Sequence, residues 1–287
     1  MPSRARELCG RRALAGIFTA RLATRLLSVY FTNQLVKQMS RPDAIRSQSE
    51  RSSQSRTRIL KAALYEFSTY GFAGARTNRI ADAAGVNKAL LYYYFDSKEK
   101  LYAAALELIA GKVYERSMKV YQHDATPGER LLRTALDHFD RILTQWEFQS
   151  MMQQEMMRHH KGEAGALPIL VERFFAPLQS AYQTVAREGI TSGELINADW
   201  MQIQLAALGA NVFYFLSAPV LRMTSRVEPL SPEALAARRK ALVEFLGQAI
   251  FTDRRHGAVL AARVLSDTPM PDAKQNRLFF RRKNERA

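Results

Sequence analysis

Residues 57–102 read TRILKAALYEFSTYGFAGARTNRIADAAGVNKALLYYYFDSKEKLY and hold the clearest structural signals in the chain. Apolar residues recur at helical spacing in the first part of this stretch, which predicts a helix. These residues are Ile59, Leu60, Ala63, Leu64 and Phe67. Gly71 follows them at the position where a glycine in the left-handed conformation commonly ends a helix.

The rest of the stretch predicts two short helices and the start of a long one. The first short helix has an inward face of small and apolar residues, the second covers residues 88–95, and the long helix runs from Lys98 to about His123. Nothing here alternates as a strand would. The residues placed to cap or end these helices are Thr77, Gly85, Asn87 and the pair Asp96-Ser97.

The two short helices have the form of a helix-turn-helix reader of the DNA major groove. Gly85 supplies the positive φ that lets two helices meet at a steep angle. With Leu91 and Phe95 turned inward, the second short helix exposes its remaining side chains, so we interpret it as the recognition helix. The alternative is that its three adjacent tyrosines are ordinary core aromatics.

The exposed side chains of this helix suit contacts to phosphates and bases. Lys88 can donate to guanine or phosphate, and the Tyr93 hydroxyl can donate to phosphate. Small Ala89 allows the backbone to approach a thymine methyl group. Thr77 and Lys98 can reach further phosphates. The full predicted DNA-binding set is Arg76, Thr77, Asn87, Lys88, Ala89, Tyr92, Tyr93 and Lys98.

The same stretch resembles the DNA-binding domain of the TetR family of transcriptional regulators. I-L-x-A-A-x-x-x-F, a Gly-Phe corner, I-A-x-x-A-G-V and L-Y-Y-x-F-x-S-K-E-x-L occur in order and with the spacing of that family. The resemblance implies that the matching positions contact DNA and that Arg76 adds a phosphate contact. Leu90 departs from the family, where a small or polar residue is common, so the bases that are read stay open. The matching positions are Thr77, Lys88, Ala89, Tyr92, Tyr93 and Lys98.

Helical patterns continue to about residue 251, so the predicted fold class is all-α. The resemblance implies a C-terminal helical domain for ligand binding and dimerisation. We therefore predict a basic, flexible extension at 1–52, a helix-turn-helix domain at 53–102, an effector and dimerisation domain at 103–252 and a basic tail at 253–287. Met39 is an alternative start of the working protein.

The uncharged stretch between Asp199 and Arg222 is long enough to span a bilayer, but glutamine and asparagine residues interrupt it. Small residues on one face favour a helix that packs closely in a dimer. The predicted interface residues are Ala206, Ala210, Phe213, Leu242, Phe245 and Leu246.

Aromatic, aliphatic and methionine side chains of the C-terminal domain predict an apolar ligand cavity, because methionine-rich surfaces adapt to varied ligands. The alternative for each of them is an ordinary core position. The expected effector is a small hydrophobic or aromatic molecule with at most one polar group, met by a histidine or a carboxylate. The predicted ligand-binding residues are Phe139, Ile142, Trp146, Met152, Met156, His159 and Phe174.

Charge and composition indicate the kind of binding partner and exclude several classes of protein. The net charge of +15 lies mainly in residues 1–58 (+9) and in the tail from Ala273 (+5), while residues 103–272 carry −1, which favours a polyanionic partner. One cysteine, Cys9, excludes an intrachain disulfide and fits a reducing cytoplasm. No nucleophile elbow, phosphate loop or HExxH motif occurs, so we expect no enzyme, cofactor or metal. Glu155, His159 and His160 have a spacing that could bind a metal, but we interpret the two histidines as surface or pocket-rim residues.

These observations predict a homodimeric repressor of transcription that binds a palindromic DNA operator and is released by a small apolar effector. The alternative is an all-helical membrane-surface or adaptor protein that uses its basic ends and residues 199–222. Salt-sensitive, sequence-selective binding to duplex DNA distinguishes the two.

Overall fold

The computed structural model describes residues 41–225 and 227–272, and every regular element in these ranges is a helix, which confirms the all-α class. The chain divides between Thr57 and Arg58 into two compact units. The alternative start at Met39 and the part of the basic tail from Ala273 onward lie outside the described residues.

The first six helices are α1 (Arg41–Gly74), α2 (Thr77–Ala84), α3 (Lys88–Phe95), α4 (Lys98–Tyr121), α5 (Pro127–Thr144) and α6 (Trp146–His160). Next, α7 (Leu167–Leu170) continues through a π-helical turn, Val171–Phe175, into α8 (Ala176–Thr191). The last four are α9 (Trp200–Leu216), α10 (Ala218–Thr224), α11 (Pro232–Ala249) and α12 (Arg254–Asp267).

Local caps set the boundaries of the N-terminal helices, and most lie where the sequence predicts them. Gly71 and Gly85 have φ angles of 71° and 64°, the left-handed region that favours glycine. The side chain of Asn87 accepts a hydrogen bond of 2.7 Å from the backbone N–H of Leu90 at the start of α3. Ser97 caps α4 in the same way, with a 3.1 Å bond from the third residue of that helix.

Thr77 differs from its predicted role as a cap. It is the first residue of α2, and Arg76 precedes the helix in an extended conformation without a side-chain capping bond. The backbone N–H of Arg76 donates instead to the buried carboxylate of Glu66 (3.0 Å). The Thr77 hydroxyl is therefore free of a capping role and lies 3.3 Å from the hydroxyl of Tyr92 on α3.

Two segments that we predicted as extension and tail are helical. Residues 41–52, the described part of the predicted flexible extension, belong to α1, because neither glycine nor proline interrupts helical hydrogen bonding between Pro42 and Gly71. Residues 254–267, predicted within the tail, form α12. This helix buries Leu260 and Val264 in the C-terminal core, which explains its order.

The described helices build two apolar cores. The first joins α1–α4 to α6 and α7, and at its centre the Tyr102 ring meets the rings of Phe67 (5.0 Å) and Phe72 (5.3 Å) nearly edge-on. The second core joins α5, α8, α9, α11 and α12. Because the first core extends past the predicted domain boundary at Tyr102, α4 and α6 connect the recognition helices to the rest of the chain.

A buried ion pair ties α5 to α11 inside the second core. Arg239 Nε and Nη2 each donate to one carboxylate oxygen of Asp140, both at 2.8 Å. Burial raises the pKa of Asp140, and the hydrogen bonds from Arg239 oppose that rise. Arg239 also donates to the carbonyl of Thr268 (2.9 Å), so the pair holds the end of α12 in place.

Candidate nucleic-acid interface and ligand cavity

The outer surface of α3 presents the side chains that the sequence predicts to face DNA. Tyr93 is 79% exposed, and Lys88 and Ala89 are also exposed. Leu91 and Phe95 are buried beneath them. The three tyrosines therefore divide: Tyr93 points to solvent, while its two neighbours are half-buried.

Contacts between α2 and α3 position two of these groups. The hydroxyls of Thr77 and Tyr92 lie 3.3 Å apart. Lys88 Nζ lies 5.9 Å from the Tyr92 ring centroid, within the range of a cation–π contact. The ammonium group of Lys88 is thereby held at the N-terminal end of α3, from which residues of a recognition helix reach the base edges.

Three further predicted residues flank α3. Arg76 is exposed just before α2, and Asn87 is exposed, although its Oδ1 atom is used by the cap. Lys98 is half-buried, with Nζ 5.0 Å from the Phe72 ring centroid and 3.4 Å from the carbonyl oxygen of Ala73. Lys98 therefore contacts the end of α1 at Phe72 and Ala73, and it also offers a positive charge to a phosphate.

Arg79 is a basic residue of the same surface that the sequence analysis missed. Its guanidinium lies 5.0 Å from the Tyr70 ring centroid and 3.8 Å from buried Glu66, while half of its side chain is exposed. The signal was available, because Arg79 follows Thr77 by two residues on the first helix of the motif. It offers another cation to a phosphate backbone.

A cavity of about 540 Å³ lies among α4, α5, α6, α8 and α9, within the range of small-molecule sites. Of the predicted ligand-binding residues, Met152 and Met156 line this cavity. Phe139 and Ile142 are instead buried in the second core, behind the cavity wall. They are core residues because the part of α5 to which they belong packs against the neighbouring helices of the second core.

The remaining three predicted ligand-binding residues also lie outside the cavity lining. Trp146 packs against the second core at the start of α6, and Phe174 packs against Tyr114 on α4, with ring centroids 5.9 Å apart. His159 is exposed on the last turn of α6, one helical turn beyond buried Glu155. The predicted ligand-binding set does not include the polar members of the lining, among them Ser117, Thr134, His138, Arg141, Gln149, Gln153, Gln179 and Gln204.

Arg141 is the cationic side chain of the cavity wall and is only 8% exposed. Its Nη1 atom donates to Asp137 (2.9 Å) and to Ser117 (3.4 Å), and Asp137 is also paired with Arg116. Burial lowers the pKa of Arg141. Burial, together with the nearby charge of Arg141, lowers the pKa of His138 to about 3, so this imidazole is neutral at physiological pH.

Two faces of helix α6 make different contacts. The face made by Gln149, Met152, Gln153 and Met156 lines the cavity. Two contacts on the other side of the helix reach the first core: the Ser150 hydroxyl donates to the carbonyl of Ser68 (2.8 Å), and Tyr102 donates to the carbonyl of Met151 (3.4 Å). A ligand that displaces α6 would therefore move contacts of the DNA-binding domain.

The end of α6 is fixed to that domain by charge. Glu155, fully buried, accepts backbone N–H groups at the start of α7 and pairs with Arg158 (3.4 Å). The Arg158 guanidinium lies 4.2 Å from the Phe72 ring centroid and 5.4 Å from that of Tyr102. These contacts join α6 to α1 and α4 on the side opposite the cavity.

The outward face of α9 and α11 is strongly apolar. Phe213 and Phe245 are 67% and 68% exposed, and Ala206 is exposed beside them, while Ala210 is partly covered. Leu242 and Leu246, which we predicted for the same interface, are buried in the protomer. Leu246 even lines the cavity, because it occupies the inward face of α11.

Within the described ranges, no three His, Cys, Asp or Glu side chains gather to hold a metal ion. Among the same residues, no single helix is long and apolar enough to cross a membrane. Helices α9 and α10 meet the length and composition test only as a pair, and they are bent by 61° relative to each other.

Comparison with known proteins identifies the N-terminal region. Residues 59–110 match the family described as bacterial regulatory proteins, tetR family. The chain is 46% identical to the transcriptional regulator RutR of Escherichia coli over 69 residues, which are 24% of this chain and 32% of RutR. It is 32% identical to the transcriptional repressor NicS of Pseudomonas putida over 114 residues, 40% of this chain and 53% of NicS. The chain thus spans between a third and about half of the length of these relatives.

Solved structures share the fold over a longer part of the chain. A protein from Streptomyces coelicolor described as a transcriptional regulator is 26% identical, with a TM-score of 0.51, over 68% of this chain and 98% of its own. A regulator from Saccharomonospora viridis, solved in complex with choline, is 18% identical, with a TM-score of 0.57, over 70% of this chain and 100% of its own. The matched proteins are named as regulators, not enzymes. Residues 59–110, which hold the helix-turn-helix, therefore form a domain of the tetR family of bacterial regulatory proteins.

Proposed function

We propose that the protein is a homodimeric repressor of transcription whose affinity for a palindromic operator is lowered by a small molecule bound in the α4–α9 cavity. The observation that carries this proposal is the exposed surface of α3, where Lys88, Ala89 and Tyr93 stand over a buried Leu91 and Phe95. Buried anchors with exposed polar neighbours are what a recognition helix requires.

The second part of the proposal is regulation by a ligand. Helix α6 belongs to both sites. One of its faces lines the cavity, and the opposite face contacts the DNA-binding domain. Regulators of this fold include one solved in complex with choline, so a small-molecule site in the helical domain is in keeping with the fold. A displacement of α6 would change the placement of α1 and α4 and hence the separation of the two recognition helices in a dimer.

The experiment begins with the purified full-length chain, which is used to select duplex DNA from a random library. We expect an inverted repeat, bound with an affinity that falls steeply with salt because phosphates are neutralised. Enrichment of no sequence, or binding only to anionic vesicles, would contradict the proposal and favour the membrane-surface alternative.

Two substitutions then test α3 on the selected operator. Tyr93→Phe removes one hydroxyl and should weaken binding to every sequence, whereas Lys88→Ala should also relax preference at one base pair, by about 1–3 kcal/mol if Lys88 reads guanine. Tyr114→Phe, on α4, is the matched control for loss of a hydroxyl and should leave binding unchanged. Unaltered operator affinity in both α3 variants would remove this helix from the interface.

A further inference from the structure

The cavity wall offers positive charge and hydrogen-bond donors. Among the described residues that line it, none is aspartate or glutamate, while Arg141 contributes a positive charge and the neutral His138 an N–H donor. Burying a cation without a matching anion is costly, so the charge around Arg141 indicates what an occupant should carry.

One carboxylate is shared by two guanidinium groups beside the cavity. Asp137 pairs through Oδ1 with Arg116 and through Oδ2 with Arg141. This cluster of three residues therefore carries a net charge of +1. Because Arg141 lines the cavity and its hydrogen bonds within the described residues use Nη1, its other N–H groups remain for a ligand.

Three more N–H donors come from the same lining. Gln179 Nε2 and Trp200 Nε1 are buried and have no acceptor within the described part of the protein. His138 accepts at Nδ1 from the side-chain amide of Asn211 (3.2 Å), which places its proton on Nε2. Buried donors without acceptors are destabilising, and an acceptor group on a ligand would satisfy them.

We propose that the cavity binds a monoanionic ligand, a carboxylate on an apolar or aromatic body, and that Arg141 binds the carboxylate. The apolar side chains around the cavity, among them Met152 and Met156, accommodate the body of the ligand. A single net positive charge matches one carboxylate and does not match a cation. This inference rests on the proposed function only in calling the ligand an effector, since the binding preference can be measured without DNA.

The test compares three probes with one apolar body: 4-phenylbutyrate, 4-phenylbutanol and 4-phenylbutylamine. Each is titrated calorimetrically into the full-length protein, and longer and shorter acids, alcohols and amines extend the series. We expect acids to bind at least tenfold more tightly than the matched alcohols, and amines most weakly. Arg141→Gln should abolish the preference for acid over alcohol. Arg133→Gln, on the same helix and paired with Glu129 outside the cavity, is the control and should retain it.

If Arg141→Gln fails to fold, Gln179→Leu provides a second test of the proposal. Because the Gln179 donor has no acceptor among the described residues, this change should not lower the melting temperature, yet it should weaken binding of the acid severalfold. Equal or tighter binding of the alcohols or amines, or no binding by any acid of the series, overturns the proposal. If the acids bind as expected but do not release operator DNA, the ligand class stands and the proposed regulation fails.

Discussion

The dimer interface is the part of the proposed function that a single charge can test. Phe213 lies on α9 and is 67% exposed, and Phe245 on α11 is similarly exposed. We propose that this face meets its copy across a two-fold axis, so that each side chain appears twice in the interface. Phe213→Asp would then place two carboxylates at the centre of an apolar surface.

The exposed area of Phe213 gives the size of the effect. A phenylalanine side chain buries about 150–250 Å² when fully covered, so the exposed two thirds offers about 130 Å². At about 25 cal/mol per Å², covering it stabilises the dimer by about 3 kcal/mol per side chain, and by about 6 kcal/mol for the symmetric pair. Even if half of this is lost to imperfect packing, the dissociation constant should rise by a factor of at least about 100.

Sedimentation equilibrium over a range of protein concentrations measures this change. The matched control is Val259→Asp, because Val259 is also 67% exposed but lies on α12. We expect Phe213→Asp to give monomers and Val259→Asp to stay dimeric. Since Phe213 is exposed in the protomer, the variant should keep its helical circular dichroism. A Phe213→Asp protein that remains dimeric at low micromolar concentration would refute the assignment of this face.

The buried ion pair, the α6 contact and the N-terminal extension can each be tested by one change. Arg239→Met leaves buried Asp140 unpaired and should cost about 3–5 kcal/mol of unfolding free energy at pH 7. Burial raises the pKa of Asp140, so the folded state favours its protonated form, and the loss of unfolding free energy should shrink as the pH falls. Urea unfolding at several pH values measures this loss. A loss that does not depend on pH would contradict the argument. Ser150→Ala removes the hydrogen bond to Ser68 and should weaken ligand-induced release from DNA in a fluorescence anisotropy assay, without weakening ligand binding itself. A chain that starts at Met39 should bind the operator as the full chain does, and a lower melting temperature would show instead that residues 1–38 stabilise the fold.

The helix-turn-helix could be predicted in detail because its signals are local. Gly85 in the left-handed region, Asn87 as a cap and the inward pair Leu91 and Phe95 each depend on a few neighbouring residues. The helix α12 was missed although Leu260, Ala261 and Val264 show helical spacing, since its basic first turn resembles the charged tail that follows.

Most of the cavity lining could not be predicted because it depends on which helices pack together. An apolar residue such as Phe139 suits a core position and a ligand cavity equally well, and only the neighbouring helices decide between them. Polar residues on apolar helix faces would have indicated the cavity lining better. Gln179 interrupts a largely apolar face of α8, and a polar residue in that position must be paired in the core or must face a ligand.

The geometry of α6 also explains why ligand and DNA should oppose each other. A ligand changes an equilibrium only by its different affinity for two conformations, and α6 is the helix whose position both sites share. We propose that the position of α6 with the contacts of Ser150 and Arg158 to the DNA-binding domain suits the operator complex, and that a filled cavity favours another position. If the ligand lowers operator affinity by a given factor, operator DNA must lower ligand affinity by the same factor. The reciprocal titration therefore tests whether α6 acts as one shared element or whether the two sites respond independently.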